Sequence, residues 1–302
     1  TGYGTVDASL TQYKYDRNDR IKQIIVDPDG LKLSTRFSYD GVGQTIKVEK
    51  GTVASPSQQI TSYEFDTLGR KTFERIDPAG LNITTQYQYD NNGNLIKKID
   101  ANNNATQYVY DIGNQLRFVI DAEGSVTENI YDSNGNIIRN IRYAIVISTA
   151  ADLSTELQVT NLLSLDAAND RTTHYAYDPK NHLRFTVNAD GSVLENSYDL
   201  NGNVKRKTAF NSIPVLDNDY SLNNINATVN RSDVLNRETN FIYDKLNRLE
   251  KTINAEGAAL QNVYDAAGNI IRTIESSPQA GDVIVIKGQV TYMTSILPLG
   301  YM

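Results

Sequence analysis

Cysteine and tryptophan are absent from the 302 residues, and histidine and methionine occur twice each. Without cysteine there are no disulfides, no thiolate metal ligands and no thiol nucleophile. Long apolar runs are also missing. The strongest candidate, Val283 to Met302, is interrupted by Lys287 and Pro298 and does not read as a membrane span. Positive charge is in deficit: 29 Lys and Arg against 36 Asp and Glu give a formal net charge of -7 and a pI near 5.0. No basic stripe offsets this, so a nucleic-acid partner is not expected. No signal-peptide pattern opens the chain, which starts at Thr1 rather than Met, and we read it as a piece of something longer. Disorder is excluded by a 39% hydrophobic content with 22% charged residues. The length is enough for one or two ordinary domains or for one repeat array.

What is plentiful is tyrosine, 19 residues against 7 phenylalanines. Most of the excess sits in an internal repeat. An aromatic-Asp step occurs ten times, at Tyr15-Asp16, Tyr39-Asp40, Phe65-Asp66, Tyr89-Asp90, Tyr110-Asp111, Tyr131-Asp132, Tyr177-Asp178, Tyr198-Asp199, Tyr243-Asp244 and Tyr264-Asp265. Successive aromatics are 24, 26, 24, 21, 21, 46, 21, 45 and 21 residues apart, a unit of 21 with inserts. Three residues after each Asp stands Gly43, Gly69, Gly93, Gly135, Gly202 or Gly268, or Asn114, Asn181, Asn247 or Asp19. All are types that tolerate positive φ. Asp at i with Gly or Asn at i+3 predicts a type I turn closed by a left-handed residue, the bulge of a short hairpin.

A second turn signal follows half a unit later. Asp27-Pro28-Asp29-Gly30 and Asp77-Pro78-Ala79-Gly80 carry the same Asp and Gly, as do Asp121 to Gly124, Asn188 to Gly191 and Asn254 to Gly257, with Asp100 to Asn103 a weaker copy. One unit is therefore strand, turn, strand, turn. In seven of the ten units a second aromatic lies two positions before the first, as in Tyr13/Tyr15, Tyr87/Tyr89 and Tyr108/Tyr110. A period of two puts both rings on one face of a strand. Asn129, Asn196 and Asn262 take the partner position in the other three units.

The expected fold is all-β, an antiparallel meander of 21-residue units forming a curved ribbon, with 1–302 as a single array. Inserts interrupt it at about 143–170 and 209–235, and the end, 276–302, is irregular. The interval from Tyr131 to Tyr198 and the interval from Tyr198 to Tyr264 differ by a single position, so insert plus two units itself repeats. In the first insert Asp152 is placed to cap a short helix near 152–163 with Leu153 and Leu157 on one face. The second insert, rich in Asn, reads as a loop. The run Val283 to Ile286 reads as a strand whose partner lies outside the chain. We expect stacking of Tyr87, Tyr89, Tyr108 and Tyr110 across neighbouring strands on the concave face, with Asn and Gln side chains satisfying their hydroxyls.

Little in the chain points to chemistry. The ten aspartates occupy turn positions, which accounts for them without an acid or ligand role. No turn carries the alternating ligand series of a calcium loop. His174 and His182 flank the turn at Asp178, with His182 expected opposite Tyr177, and neither metal nor triad spacing is present. The Asn-x-Thr/Ser sequons at Asn82, Asn104, Asn226 and Asn230 arise by chance in so Asn-rich a repeat. No cofactor, metal or catalytic residue is expected, and the chain reads as a non-enzyme.

The order Tyr-Asp-x-x-Gly, then Asp-x-x-Gly, then strand and Tyr-Asp again resembles the YD or Rhs repeat family, and the likeness runs from Tyr13 to about Thr273. Bacterial Rhs proteins, the B and C components of insecticidal toxin complexes and the animal teneurins share such repeats. The resemblance implies a ribbon spiralling into a hollow β-shell, of which a chain this short is one segment. It implies a secreted or cell-surface bacterial protein whose partners are the rest of the same shell, a paired shell subunit and an enclosed toxin polypeptide. Bacterial effectors end their shells in an Asp-Pro segment where the chain cuts itself. No such junction stands near Met302, so autoproteolysis and toxin activity are not assigned. The alternative is a surface adhesin whose exposed tyrosines bind glycans or a partner protein.

Overall fold

Strand boundaries follow the turns. The computed structural model describes residues 10–149, 153–212, 214, 216–277, 280–286 and 289–291. The chain forms two compact units, one of residues 1–128 with 143–169, the other of 129–142 with 170–302.

The first unit holds β1 (Thr11–Tyr15), β2 (Ile21–Val26), β3 (Leu33–Tyr39), β4 (Thr45–Thr52), β5 (Gln59–Phe65), β6 (Lys71–Ile76), β7 (Ile83–Tyr89), β8 (Leu95–Ile99), β9 (Ala105–Tyr110) and β10 (Leu116–Ile120). The strand β11 (Val126–Tyr131) lends it its first half. Each strand pairs antiparallel with the next, from Tyr13 opposite Ile24 to Phe118 opposite Glu128. The second unit continues the same way through β12 (Ile137–Arg142), β13 (Arg171–Tyr177), β14 (Leu183–Val187), β15 (Val193–Tyr198), β16 (Val204–Ala209), β17 (Arg237–Tyr243), β18 (Leu249–Ile253), β19 (Ala259–Tyr264), β20 (Ile270–Ser277), β21 (Ala280–Ile286) and β22 (Gln289–Thr291). The all-β meander expected from the repeat is the fold.

All ten residues at i+3 of the aromatic-Asp turns have positive φ, from 58° at Asp19 to 98° at Gly43. The pairing register slips by one residue at the aromatic, as between Gln88 and Tyr89 or Ser197 and Tyr198, which is the expected bulge. The second set of turns splits in two. Gly124, Gly191, Gly257 and Asn103 repeat the positive φ of the first set. The two proline turns do not: there Asp27 and Asp77 are left-handed, with φ of 53° and 51°, and so are Lys32 and Asn82. Gly30 and Gly80 serve another purpose. The proline ring locks the second position at a negative φ. The Asp27 carboxylate then folds over the loop to accept the N–H groups of Gly30 and Leu31 at 3.1 and 2.8 Å. A Cβ on Gly30 would lie 2.2 Å from that carboxylate, so any other residue there would have to push the Asp27 side chain off its loop bonds.

Two short helices lie in the inserts. The first, α1 (Glu156–Thr160), is capped by Thr155 in a reciprocal capping box with Gln158. Asp152, the expected cap, lies outside the described residues. Leu153 precedes the helix and is buried, Val159 is buried within it, and Leu157 is 69% exposed. The second insert is not simply a loop: α2 (Leu222–Thr228) starts at Ser221, whose hydroxyl accepts the Asn224 N–H. Burial of Ile225 outweighs the poor helix propensity of its asparagines. The end of the chain is also more regular than expected. β21 takes up Val283 to Ile286 and pairs with β20 on one side and β22 on the other, so the apolar run has its partners within this chain. Residues 292–302 lie outside the described residues.

Candidate functional site

The repeat residues converge on no pocket. Their topology sets them in a row along one edge of each unit, and the chemistry of that row is repeated. In each turn the Asp N–H donates to the carbonyl four residues on, and the i+3 N–H donates back to the Asp carbonyl, as at Asp66 with Arg70 and Gly69. The Asp66 carboxylate then accepts the N–H groups of Leu68 and Arg70, both at 2.9 Å, and its second oxygen accepts Arg70 Nε at 2.7 Å. Asp16 with Arg20 and Asp244 with Arg248 do the same. At Asp90, Asp132, Asp199 and Asp265 an asparagine amide replaces the guanidinium. These bonds hold the carboxyls below their ordinary pKa: the Arg70 N–H acts on Asp66, the Arg248 N–H on Asp244, the Arg20 side chain on Asp16 and the Asn136 amide on Asp132.

Each turn also reaches the next unit. The repeat tyrosine donates its hydroxyl to the backbone carbonyl that opens the strand after the preceding aromatic-Asp turn. Tyr39 reaches Ile21, Tyr89 reaches Lys71, Tyr110 reaches Leu95, Tyr177 reaches Ile137, Tyr198 reaches Leu183 and Tyr264 reaches Leu249, at 2.7 to 3.1 Å. This is why the repeat favours tyrosine over phenylalanine. Asn196 and Asn262, which stand where other units have a second aromatic, donate to the same carbonyls as Tyr198 and Tyr264. Arg20, Arg70 and Arg248 lie over the rings of Tyr39, Tyr89 and Tyr264 at 4.4, 4.8 and 4.3 Å from the ring centre. Asparagines from neighbouring turns form reciprocal amide pairs at Asn94 with Asn114, Asn136 with Asn181, and Asn203 with Asn247. The expectation for Tyr87, Tyr89, Tyr108 and Tyr110 is thus corrected in its contacts. Tyr87 and Tyr89 carry cations on their rings, Lys71 and Arg70, and the hydroxyls of Tyr89 and Tyr110 go to backbone carbonyls rather than to Asn or Gln.

The deepest burial is on the other face, where sequence reasoning did not look. In the first unit Gln107, Val109, Phe118, Ile120, Val126 and Glu128 are buried while Tyr108 and Tyr110 are half-exposed. The first insert covers that face: α1 lies against β10, and the Leu153 N–H donates to Gln107 Oε1 at 2.7 Å. In the second unit Ala176, Phe185, Val187 and Val193 form one core with Phe210, Leu216, Ile225 and Val229 of the second insert. A buried glutamate anchors each insert. Glu128 pairs with Arg117 at 2.6 Å and accepts the Tyr143 hydroxyl. Glu195, 2% exposed, pairs with Arg184 at 2.6 Å and with Arg231 of the insert at 3.1 Å. The signal was present: Val109/Ala176, Arg117/Arg184, Phe118/Phe185, Val126/Val193 and Glu128/Glu195 are each separated by the same interval as Tyr131 and Tyr198. The next copy, displaced by the interval from Tyr198 to Tyr264, has Lys251 and Gln261 in place of the phenylalanine and glutamate.

The two histidines are not brought together. His182 occupies the fifth turn position, with Nδ1 3.2 Å from Asp178, and stacks on Tyr198. Leu183, not His182, stands opposite Tyr177. His174 stacks on Tyr220. Two small clefts of about 410 and 330 Å³ repeat at equivalent places in the second unit, lined by Arg237, Asn254 and Glu256 in one and Arg171, Asn188 and Asp190 in the other. The Arg237 and Glu256 side chains of the larger are paired with each other. Among the described residues no group of three His, Asp or Glu side chains is arranged to hold a metal ion, and no helix is long and apolar enough to cross a membrane.

Residues 89–126, nearly two 21-residue units, match the RHS repeat family. No curated protein matches the chain. Among solved structures, the TcdB2-TccC3 complex without its hypervariable C-terminal region aligns over 91% of this chain with a TM-score of 0.52 and 14% identity. A second TcdB2-TccC3 structure aligns over 92% with a TM-score of 0.51 and 15% identity. The chain spans only 14% and 15% of those two proteins. At these identities the likeness is one of fold.

Proposed function

We propose that this RHS-repeat chain is a wall segment of a larger shell-forming protein of the toxin-complex type, one that encloses a toxin polypeptide. The observation that carries the reading is the correspondence of fold with TcdB2-TccC3 over nine-tenths of the chain, together with a repeat that matches the RHS family in its own right. The remainder of the same shell, a paired shell subunit and the enclosed polypeptide are its proposed partners, and secretion from a bacterium its proposed setting.

The chemistry of the units supports a structural role. Turn carboxylates, repeat hydroxyls and amides satisfy one another and the backbone around them, which leaves a sheet with few free hydrogen-bonding groups along the turn edge. Such a wall can face an unfolded chain without templating a strand on it. The turn aspartates are committed to this bonding, and we propose that the chain is not an enzyme. A glycan platform is less well supported. Arginines already cover the faces of Tyr39, Tyr89 and Tyr264 on which a sugar ring would stack.

The test is protease protection in the longer protein that carries this chain. A discrete polypeptide should survive a broad-specificity protease in the native protein and be digested once the shell is denatured. Uniform digestion of everything outside the repeats, without denaturant, would refute enclosure. Saturable binding on a glycan array would favour the adhesin instead.

A further inference from the structure

Besides its glutamate anchor, each insert meets its sheet at a residue that stands at the same place in the longer repeat. In the first unit that residue is Gln107, whose Oε1 accepts the Leu153 N–H at 2.7 Å. In the second unit it is His174, and the Tyr220 ring of the second insert lies flat on the imidazole, with centroids 3.4 Å apart and planes within 4°. Leu216, Ile225 and Val229 on either side of that stack complete the core with Phe185, Val187 and Val193. We propose that the second insert is an acid-releasable cover of its sheet, with His174 as the sensor, while the first insert, held by Gln107, stays in place.

The charges around His174 set the direction. From β12, Arg139 is its direct cross-strand partner, and the buried Arg139 Nε has no hydrogen-bond partner. From β14, the facing residue is Val187. On its own strand, Thr172 and Ala176 share its face and carry no charge. From the insert, Tyr220 follows Asp217 and Asp219, and the Asp219 carboxylate is taken by the Ser221 N–H at 2.9 Å. A protonated imidazole would therefore meet a guanidinium and an apolar core. Burial first, then Arg139, pushes His174 down to about 4 from an ordinary 6.5. The sign follows. The docked insert holds fewer protons than the released one, so docking is complete above the ordinary value and is lost as pH falls toward the lowered one. A protonated ring recovers part of the loss against Tyr220, and its solvent-facing side screens another part. The opening of the insert should rise about tenfold between pH 7 and pH 5.

Hydrogen exchange on the whole chain reads this directly, at about pH 7 and about pH 5 with the chemical rate corrected. Residues 216–229 should lose protection about tenfold on acidification, and residues 153–163 should not change. His174→Gln, which installs the residue of the preceding repeat, should flatten the response. Loss of protection in both inserts alike, or a response that persists in His174→Gln, overturns the proposal. A measurement independent of any variant comes from the chain having only two histidines. Their imidazole resonances can be followed by NMR, and His174 titrating near its ordinary value in the docked state would overturn it as well.

Discussion

Replacing Gly93 by valine isolates the backbone contribution of one turn. Gly93 has φ of 91°, and a Cβ built on it meets nothing within 4 Å, so the substitution costs backbone strain and no clash. A β-branched residue held in the left-handed region costs about 1–3 kcal/mol. For a unit of this size about 2 kcal/mol is a fall of roughly 4–8 °C in Tm. Gly41 is the control. It belongs to the same kind of turn, a Cβ there also meets nothing within 4 Å, and its φ is not in the left-handed region. Gly41→Val should stay within about 0.5 kcal/mol of the parent. Gly93→Asn should be milder than Gly93→Val, because Asn114, Asn181 and Asn247 occupy the same position with φ of 64° to 68°. Thermal melts followed by circular dichroism give the comparison. Equal losses at Gly41 and Gly93, or a Gly93→Asn loss as large as that of valine, would refute the assignment of the turn energy to φ.

Phe185→Ala should cost about 3–5 kcal/mol in urea unfolding and open the second insert to protease, whereas Lys251→Ala, at the equivalent position of the next copy, should cost under about 0.5 kcal/mol. Tyr89→Phe removes the bond to the Lys71 carbonyl and should cost about 0.5–1.5 kcal/mol, read from the shift in the urea midpoint; no shift would mean that water replaces the hydroxyl at no cost. The turn carboxylates of Asp16, Asp66, Asp132 and Asp244 have folded pKa values below the ordinary value near 3.9. Their stabilisation is therefore full above that value and lost as pH falls through the lowered ones, and urea midpoints that stay level between about pH 4 and pH 2 would contradict it.

Both the fold class and the row of turns were legible because they rest on local rules. Asp at i and a residue tolerant of positive φ at i+3 specify a turn whatever surrounds it, and a period of two assigns faces to the strands it joins. Val283 to Ile286 was read correctly as a strand, but no local rule could supply its neighbours β20 and β22. The proline turns misled because Asp and Gly recur there at the same spacing while proline changes which residue turns left-handed.

The sequence by itself determined where the chain turns, which residues share a face, and that a unit of insert and four strands recurs. Tertiary structure alone decided which face is buried. Alternation distinguishes two faces but not inside from outside, and the tyrosine rows drew attention to the wrong one. Phe118 and Phe185 are fully buried because an insert folds back over them, and a helix of five or seven residues has no stability of its own to announce it. The same packing made Glu128 and Glu195 into anchors and set His174 against Tyr220 and Arg139. Those contacts join residues as distant in the chain as His174 and Tyr220, a separation over which side chains meet only once the sheet has formed.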